Sequence, residues 1–129
     1  MSTLKVDTME DLSAGESVDT AYLIHGTAKA LLNYDHAGAT INKSLNVSSV
    51  TDISTGKITV NFISSFADTH YCVSQSSDDS GSNYDWAITV VDVNGGQKTV
   101  SLYDLTCVQY NASAVMDSNY YNIMHGGLA

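Results

Sequence analysis

The segment at 44–74, SLNVSSVTDISTGKITVNFISSFADTHYCVS, is the part of this chain from which the fold is read most directly. Residues 46–52 have the composition of a β-strand, Ser54-Thr55-Gly56 that of a turn, and residues 57–62 that of a returning strand. A loop follows, and a third strand opens at Tyr71-Cys72-Val73. The segment therefore predicts antiparallel β-structure built around a short hairpin.

The returning strand carries the clearest pattern. Its apolar residues occupy every second position and polar residues the positions between, so the apolar side chains share one face: Ile58, Val60 and Phe62. A period of two is typical of a strand with one buried face and one solvent-facing face. The pattern therefore predicts a sheet that covers a hydrophobic core.

Composition extends this interpretation to the whole chain. Its 129 residues suit one domain, and 43% of them are apolar. A domain of this size buries roughly two-thirds of its unfolded surface, which is enough for a core without metal or disulfide crosslinks. Because proline is absent, glycine, asparagine, aspartate and serine are expected to form the turns.

Further strands are predicted along the chain. Residues 28–34 alternate as a strand, although Ala-Lys-Ala-Leu-Leu also suits one or two helical turns. The other candidates are 3–9, 39–42, 85–93, 98–110 and 117–124, with a tight hairpin at Asn94-Gly95-Gly96 between the two longest. Together they predict an all-β fold, an antiparallel β-sandwich (jelly-roll-like) at 21–129, preceded by a short extended N-terminal arm at 1–20.

One of these strands carries apolar side chains on both faces. In residues 98–110, one face carries Val100 and Leu102, and the opposite face carries Tyr103, Leu105 and Cys107. Either a bulge changes the register of this strand, or a second layer covers its outer face. In a small sandwich that second layer could be another subunit.

The charge of the chain restricts its partners. Five basic and fourteen acidic residues give a net charge of −9, which disfavours nucleic acid and anionic membrane surfaces. No apolar run is long enough for membrane insertion and no secretion signal is evident, so assembly in a cytoplasm is expected. There Cys72 and Cys107 are expected to stay reduced as small apolar residues on strands, with a disulfide between them as the open alternative.

Candidate catalytic and metal-binding residues are few. The four histidines lack the spacing to a second ligand type that zinc sites use, and no phosphate-binding glycine loop or nucleophile elbow occurs. His70 and Cys72 could share one side of a strand as a nucleophile pair or metal half-site, but a strand entrance with Tyr71 packed inward is favoured. We therefore predict no catalytic, cofactor-binding or metal-binding residue.

The polar segment 77–83 predicts an exposed loop. Its acidic residues lack the alternating spacing of a dedicated calcium loop, so solvated carboxylates are favoured over a calcium site. Aromatic side chains on a β-domain can stack on sugar rings, although core and subunit packing is the favoured role for most of them. The candidate surface-recognition residues are Asp78, Asp79 and Tyr84.

Several segments, at their spacing in this chain, resemble a module found in tail-fibre and other structural proteins of tailed bacteriophages, especially marine ones. The segments that carry the resemblance are Ser2–Thr8, Gly26–Ala30, Asn46–Asp52, Thr59–Phe62 and Tyr71–Val73. The resemblance is clear as far as Val73 and looser beyond it.

The resemblance implies a non-enzymatic virion protein, assembled in the host cytoplasm and displayed on the particle as a short tail fibre or fibre-tip module. The alternatives are a capsid decoration or cement protein (a head fibre) and, third, a carbohydrate-binding or depolymerase module. The expected partners are further copies of this chain, with a trimer favoured, other virion proteins and a host surface glycan. Leu4 and Val6 of the arm are the candidate docking residues, acting by strand addition or apolar contact.

Overall fold

The computed structural model describes residues 6, 8–10, 17–20, 23, 26–78, 87–91, 96–109, 114–115 and 117–129. Within these ranges the chain forms eleven β-strands, and every strand pair is antiparallel. In chain order they are β1 (Thr8–Glu10), β2 (Ser17–Asp19), β3 (Ala30–Asp35), β4 (Thr40–Leu45), β5 (Val47–Ser54), β6 (Lys57–Phe62), β7 (Cys72–Asp78), β8 (Ala87–Val91), β9 (Leu102–Gln109), β10 (Ala114–Val115) and β11 (Asn119–His125).

Two sheets enclose the core. In the first sheet the strand order is β4-β3-β11-β7. In the second sheet β5, β6 and β9 follow one another, β8 pairs with β9, and β10 pairs with the last two residues of β9. The predicted antiparallel β-sandwich is therefore confirmed, and its first and last strands, β3 and β11, are neighbours in one sheet.

The predicted alternation decides which faces are buried. Ile58, Val60 and Phe62 of β6 are buried, as the period of two required. β3 behaves in the same way, with its buried positions at Ala30, Leu32 and Tyr34, so the strand interpretation of residues 28–34 is confirmed over the helical one. The core is completed by Val47, Phe66, Tyr71, Tyr103, Leu105, Cys107, Tyr120 and Met124.

The turn predicted at Asn94-Gly95-Gly96 falls mostly outside the described residues, which do not include Asn94 and Gly95. The two strands that it was expected to join do pair antiparallel, with Val91, the last residue of β8, opposite Leu105 of β9. The segment before β9 folds back on that strand: Lys98 bridges to Tyr103, and the Asp104 amide donates to the Gln97 carbonyl oxygen at 2.8 Å.

The predicted arm and the predicted exposed loop each contribute residues to strand pairs. Residues 17–19, which were expected to belong to the extended arm, form β2 and pair with β1. Ser77 and Asp78, expected in the exposed loop, extend β7 and pair with Tyr120 and Asn119. In both places a long-range backbone ladder overrides a local composition of small polar residues.

The two ends of the sandwich are closed by different side chains. At one end, here called the aromatic end, four rings pack together: Phe62, Phe66, Tyr71 and Tyr103. At the other, the histidine end, an imidazole lies between two carboxylates and a phenol: His36, Asp52, Asp117 and Tyr120. β6 connects the two ends, because it runs from the turn beside the histidine end to Phe62.

Candidate functional site

Few of the predicted site residues fall within the described part of the chain. Leu4, Asp79 and Tyr84 lie outside it. Val6 is exposed and precedes β1, whereas Asp78 is the last residue of β7 and pairs with Asn119. The two described residues belong to different elements.

The N-terminal hairpin, formed by β1 and β2, exposes an apolar pair. Met9 lies directly opposite Val18, and their side chains are 55% and 36% exposed. The Thr20 hydroxyl donates to the Val6 carbonyl oxygen at 3.1 Å, which extends the pairing beyond the strands. An isolated two-stranded hairpin is marginally stable in water, so a hairpin this short gains stability when another surface covers it.

The outer face of the first sheet carries a second exposed apolar feature. Leu45 of β4, Leu31 of β3 and Ile123 of β11 lie opposite one another across three strands, and this set is here called the outer apolar row. Leu45 is 54% and Ile123 41% exposed, while Leu31 is half-buried. The row ends at Ser74 of β7, which pairs with Ile123.

Basic residues border the outer apolar row on both sides. Lys43 lies in the neighbouring row with Asn33 and the exposed Tyr121, and Asn42 donates to the Asn33 side-chain oxygen at 3.2 Å. On the other side Lys29 immediately precedes β3, where its amide donates to the Met124 carbonyl oxygen at 2.8 Å. Neighbouring rows on one face of a sheet are about 6.6 Å apart, so both ammonium groups can reach a partner seated on the row.

The outer face of the second sheet is polar around β6 by contrast. The Thr59 hydroxyl donates to Asp104 Oδ1 at 2.6 Å, and the Asn61 side-chain amide donates to the Ser49 hydroxyl at 3.2 Å. These side chains satisfy one another across neighbouring strands. Where β10 joins β9, Val115 (38% exposed) lies opposite Val108, so the second sheet also exposes an apolar side chain at that edge.

The histidine end is the most connected polar cluster of the described residues. His36 Nε2 lies 3.1 Å from Asp52 Oδ1, and Nδ1 lies 3.2 Å from Asp117 Oδ1 and 3.3 Å from the Tyr120 hydroxyl. Asp117 Oδ1 also accepts the Gly56 amide at 2.7 Å. One imidazole thus links the turn after β3, strand β5 and the segment leading into β11.

The surroundings of His36 favour a structural role for the cluster. Its side chain is buried, and the rings of Tyr34 and Tyr120 pack beside it. Burial, reinforced by the charge of Asp52, raises the pKa of Tyr34, and burial likewise raises that of Tyr120. Both phenols therefore stay protonated at neutral pH. The arrangement holds three segments together at the histidine end of the sandwich.

The two cysteines are free thiols in different environments. Cys107 is buried, and burial raises the pKa of its thiol, with hydrogen bonds from Ser118 and Ser77 acting in the opposite direction. Cys72 is exposed at the start of β7, and Cys107 lies in β9, so both cysteines are free and on strands as expected, with no disulfide between them.

His70 lies two residues before the start of β7, in agreement with its interpretation as part of a strand entrance. Its ring is exposed and lies 3.4 Å from Asp68 Oδ1, while Tyr71 packs inward as expected. Within the described ranges, no group of three or more histidine, cysteine or acidic side chains could hold a metal ion. The same ranges contain no helix of the length and apolarity that crossing a membrane takes.

Comparison with protein-family models, curated proteins and solved structures finds no match to this chain. Sequence reasoning had not singled out the outer apolar row. The sequence does contain a pattern that predicts this row, because Leu31 and Ile123 are apolar at strand positions that alternate with the core positions. The partners of His36 had no such signal, since Asp52 and Asp117 are distant from it in the chain.

Proposed function

We propose that this chain is a structural protein of a tailed-bacteriophage virion, displayed on the particle as a short tail fibre or fibre-tip module. The observation that carries the proposal is the N-terminal hairpin, whose Met9 and Val18 are exposed together ahead of a closed sandwich. A marginal hairpin with an uncovered apolar pair is suited to assembly, because docking removes that pair from water.

The sandwich itself suits display on a particle. Aromatic packing closes one end of its core and hydrogen bonds to an imidazole close the other, so both ends of the strands are held. A net charge of −9 keeps many copies soluble beside one another, and salt screens the repulsion between them. These properties favour a rigid, non-enzymatic module.

The residues that resemble phage proteins have structural roles here. Asn46 joins β4 to β5 with a φ of 54°, a left-handed conformation that asparagine tolerates better than most residues. Its side chain donates to the Ser64 carbonyl oxygen at 3.0 Å and accepts the Ser64 amide at 2.7 Å. Val47, Val60 and Tyr71 lie in the core. The resemblance therefore supports the proposal through residues that build the fold, and it leaves the receptor unspecified.

The test is to label intact particles of the encoding phage with an antibody against the chain and to image them. Label on the tail is the expected result. Label over the head would assign the chain to capsid decoration, the alternative, and no label on intact particles would overturn a virion role.

A second experiment addresses the host surface. Purified protein is incubated with host surface polysaccharide, and both binding and chain length are measured. Binding without shortening is expected of a module that contacts the host. Shortened polysaccharide chains would establish a depolymerase instead and would contradict a non-enzymatic role.

A further inference from the structure

We infer that the N-terminal hairpin of one copy of this chain docks on the outer apolar row of a second copy. Met9 and Val18 are exposed on the hairpin, and Leu45 and Ile123 are exposed on the row. The inference rests on the proposed function only for the expectation that copies of the chain associate.

The two surfaces match in shape and spacing. Met9 and Val18 form a directly opposed cross-strand pair, so their side chains project from one face of the hairpin. Leu31 and Ile123 are opposed in the same way on β3 and β11. Directly opposed side chains are about 5 Å apart in both cases, which allows one flat pair to lie over the other and exclude water from both.

Charge complementarity selects the hairpin as the occupant. Residues 1–20 contain five of the fourteen acidic residues of the chain and one of its five basic residues. The outer apolar row lies between Lys29 and Lys43, two of the remaining basic residues. A second copy of the same face would bring lysine against lysine, whereas the acidic N-terminal segment is attracted to both lysines by its net charge.

The contact joins two different surfaces, so it is heterologous. Such a contact closes into a ring when the rotation between copies permits, and a ring of three agrees with the expected trimer. Each copy then contributes one hairpin and one outer apolar row, and neither apolar surface stays in water.

A crosslinking experiment distinguishes docking between copies from docking within one copy. In a Cys72→Ser background, full-length chains with Val18→Cys are mixed with size-tagged chains that carry Ile123→Cys, and the mixture is oxidised. A mixed disulfide dimer is expected. The matched control replaces Ile123→Cys with Ile63→Cys, an exposed position outside the row (70% exposed), and is expected to give little dimer.

Other results of that experiment would overturn the inference. These are equal crosslinking at the control position or absence of the mixed dimer. A third is that a chain carrying both new cysteines forms the disulfide only within itself and never with a second chain. None of them depends on particle labelling, so failure of the inference is distinguishable from failure of the proposed function.

Sedimentation velocity on the full-length chain supplies an independent measurement. Leu45→Ser with Ile123→Ser, and separately Lys29→Glu with Lys43→Glu, are each expected to weaken association about tenfold or more. Ile63→Ser is expected to leave it unchanged, and circular dichroism verifies that all variants are folded. A wild-type chain that stays monomeric up to about 100 µM would overturn the inference and leave the hairpin for a different virion protein.

Discussion

The two ends of the sandwich are closed by different kinds of interaction. At the aromatic end, Phe66 stacks on Tyr71 with ring centroids 4.3 Å apart and meets Phe62 edge-on at 4.9 Å. At the histidine end, His36 contacts carboxylates that are themselves partly exposed. Apolar burial closes the first end, and directed hydrogen bonds close the second.

This difference indicates where stability resides. Burial of large rings contributes in proportion to the area removed from water and is not screened by salt as interactions between charges are. A hydrogen bond between partly solvated groups contributes less on balance, because water competes for both partners. We therefore expect the aromatic end to carry most of the stability and the histidine end to fix the geometry of three segments.

Removing a ring from the aromatic end should have the largest effect. Phe66 is almost fully buried, so Phe66→Ala is expected to lower the free energy of unfolding by about 3–5 kcal/mol. Urea unfolding monitored by circular dichroism measures this loss. A loss below about 1 kcal/mol would mean that the ring contacts contribute little, contrary to the expectation that the aromatic end carries most of the stability.

Alkaline pH should destabilise the fold through the buried phenols. Burial raises the pKa of Tyr71 to about 12, from an ordinary value of about 10, and raises that of Tyr103 as well. The neutral phenol is thus favoured in the folded chain, so the stability is complete below pH 10 and is lost as pH rises toward 12. Urea unfolding at a series of pH values gives the loss, and absorbance at about 295 nm follows tyrosinate formation. Stability independent of pH between 10 and 12 would contradict this expectation.

At the histidine end, His36→Ala is expected to cost about 2–3 kcal/mol, because it removes contacts to three partners and leaves Tyr120 without its imidazole neighbour. Asp52→Asn is the matched control. Its side chain is more than half exposed, so a loss of about 0–1 kcal/mol is expected. Equal losses for the two variants would show that the exposed carboxylate, and not the buried ring, holds this end together.

A glycine pair tests how tightly the aromatic end is packed. A Cβ atom at Gly126 would lie 2.8 Å from Tyr71 Cβ and 3.0 Å from Phe66 Cδ1, so Gly126→Ala is expected to cost about 1–2 kcal/mol. At Gly127 a new Cβ would lie 3.7 Å from Ala67 Cβ, an ordinary van der Waals contact, and Gly127→Ala is the control with little expected loss. Thermal unfolding of both variants measures the two losses of stability. A larger loss for Gly127→Ala than for Gly126→Ala would contradict the expected tight packing around Gly126.

The smallest effects distinguish two phenols of the aromatic end. The Tyr71 hydroxyl donates to the carbonyl oxygens of Thr99 and Leu102, so Tyr71→Phe is expected to cost about 1 kcal/mol. The buried Tyr103 hydroxyl has no hydrogen-bond partner among the described residues, and Tyr103→Phe is expected to be neutral or slightly stabilising. Urea midpoints of the two variants measure the difference, and the reverse order would contradict it.

Much of the sandwich follows from local pattern. The alternation at Ile58, Val60 and Phe62 identified a buried face correctly, and the Thr55-Gly56 turn joins β5 to β6 with Gly56 at a φ of 69°. A period of two is a property of neighbouring residues, and a glycine turn is a property of one position. Neither depends on the rest of the fold.

The candidate surfaces could not be predicted from local sequence patterns to the same extent. The arm was predicted as the docking segment, but its pairing as a hairpin and the opposition of Met9 to Val18 follow from strand register. The outer apolar row likewise exists only because β3 lies between β4 and β11. Local composition does not specify which strands become neighbours.

The amino-acid sequence by itself determined that this chain is all-β, which faces of its strands are apolar, and that its surface is acidic. Only the tertiary structure decided that Val91 pairs with Leu105 and that His36 meets Asp117. The physical reason is one of range. Side-chain alternation and turn preferences act over a few residues, whereas strand neighbours and register are selected by the packing of the whole core.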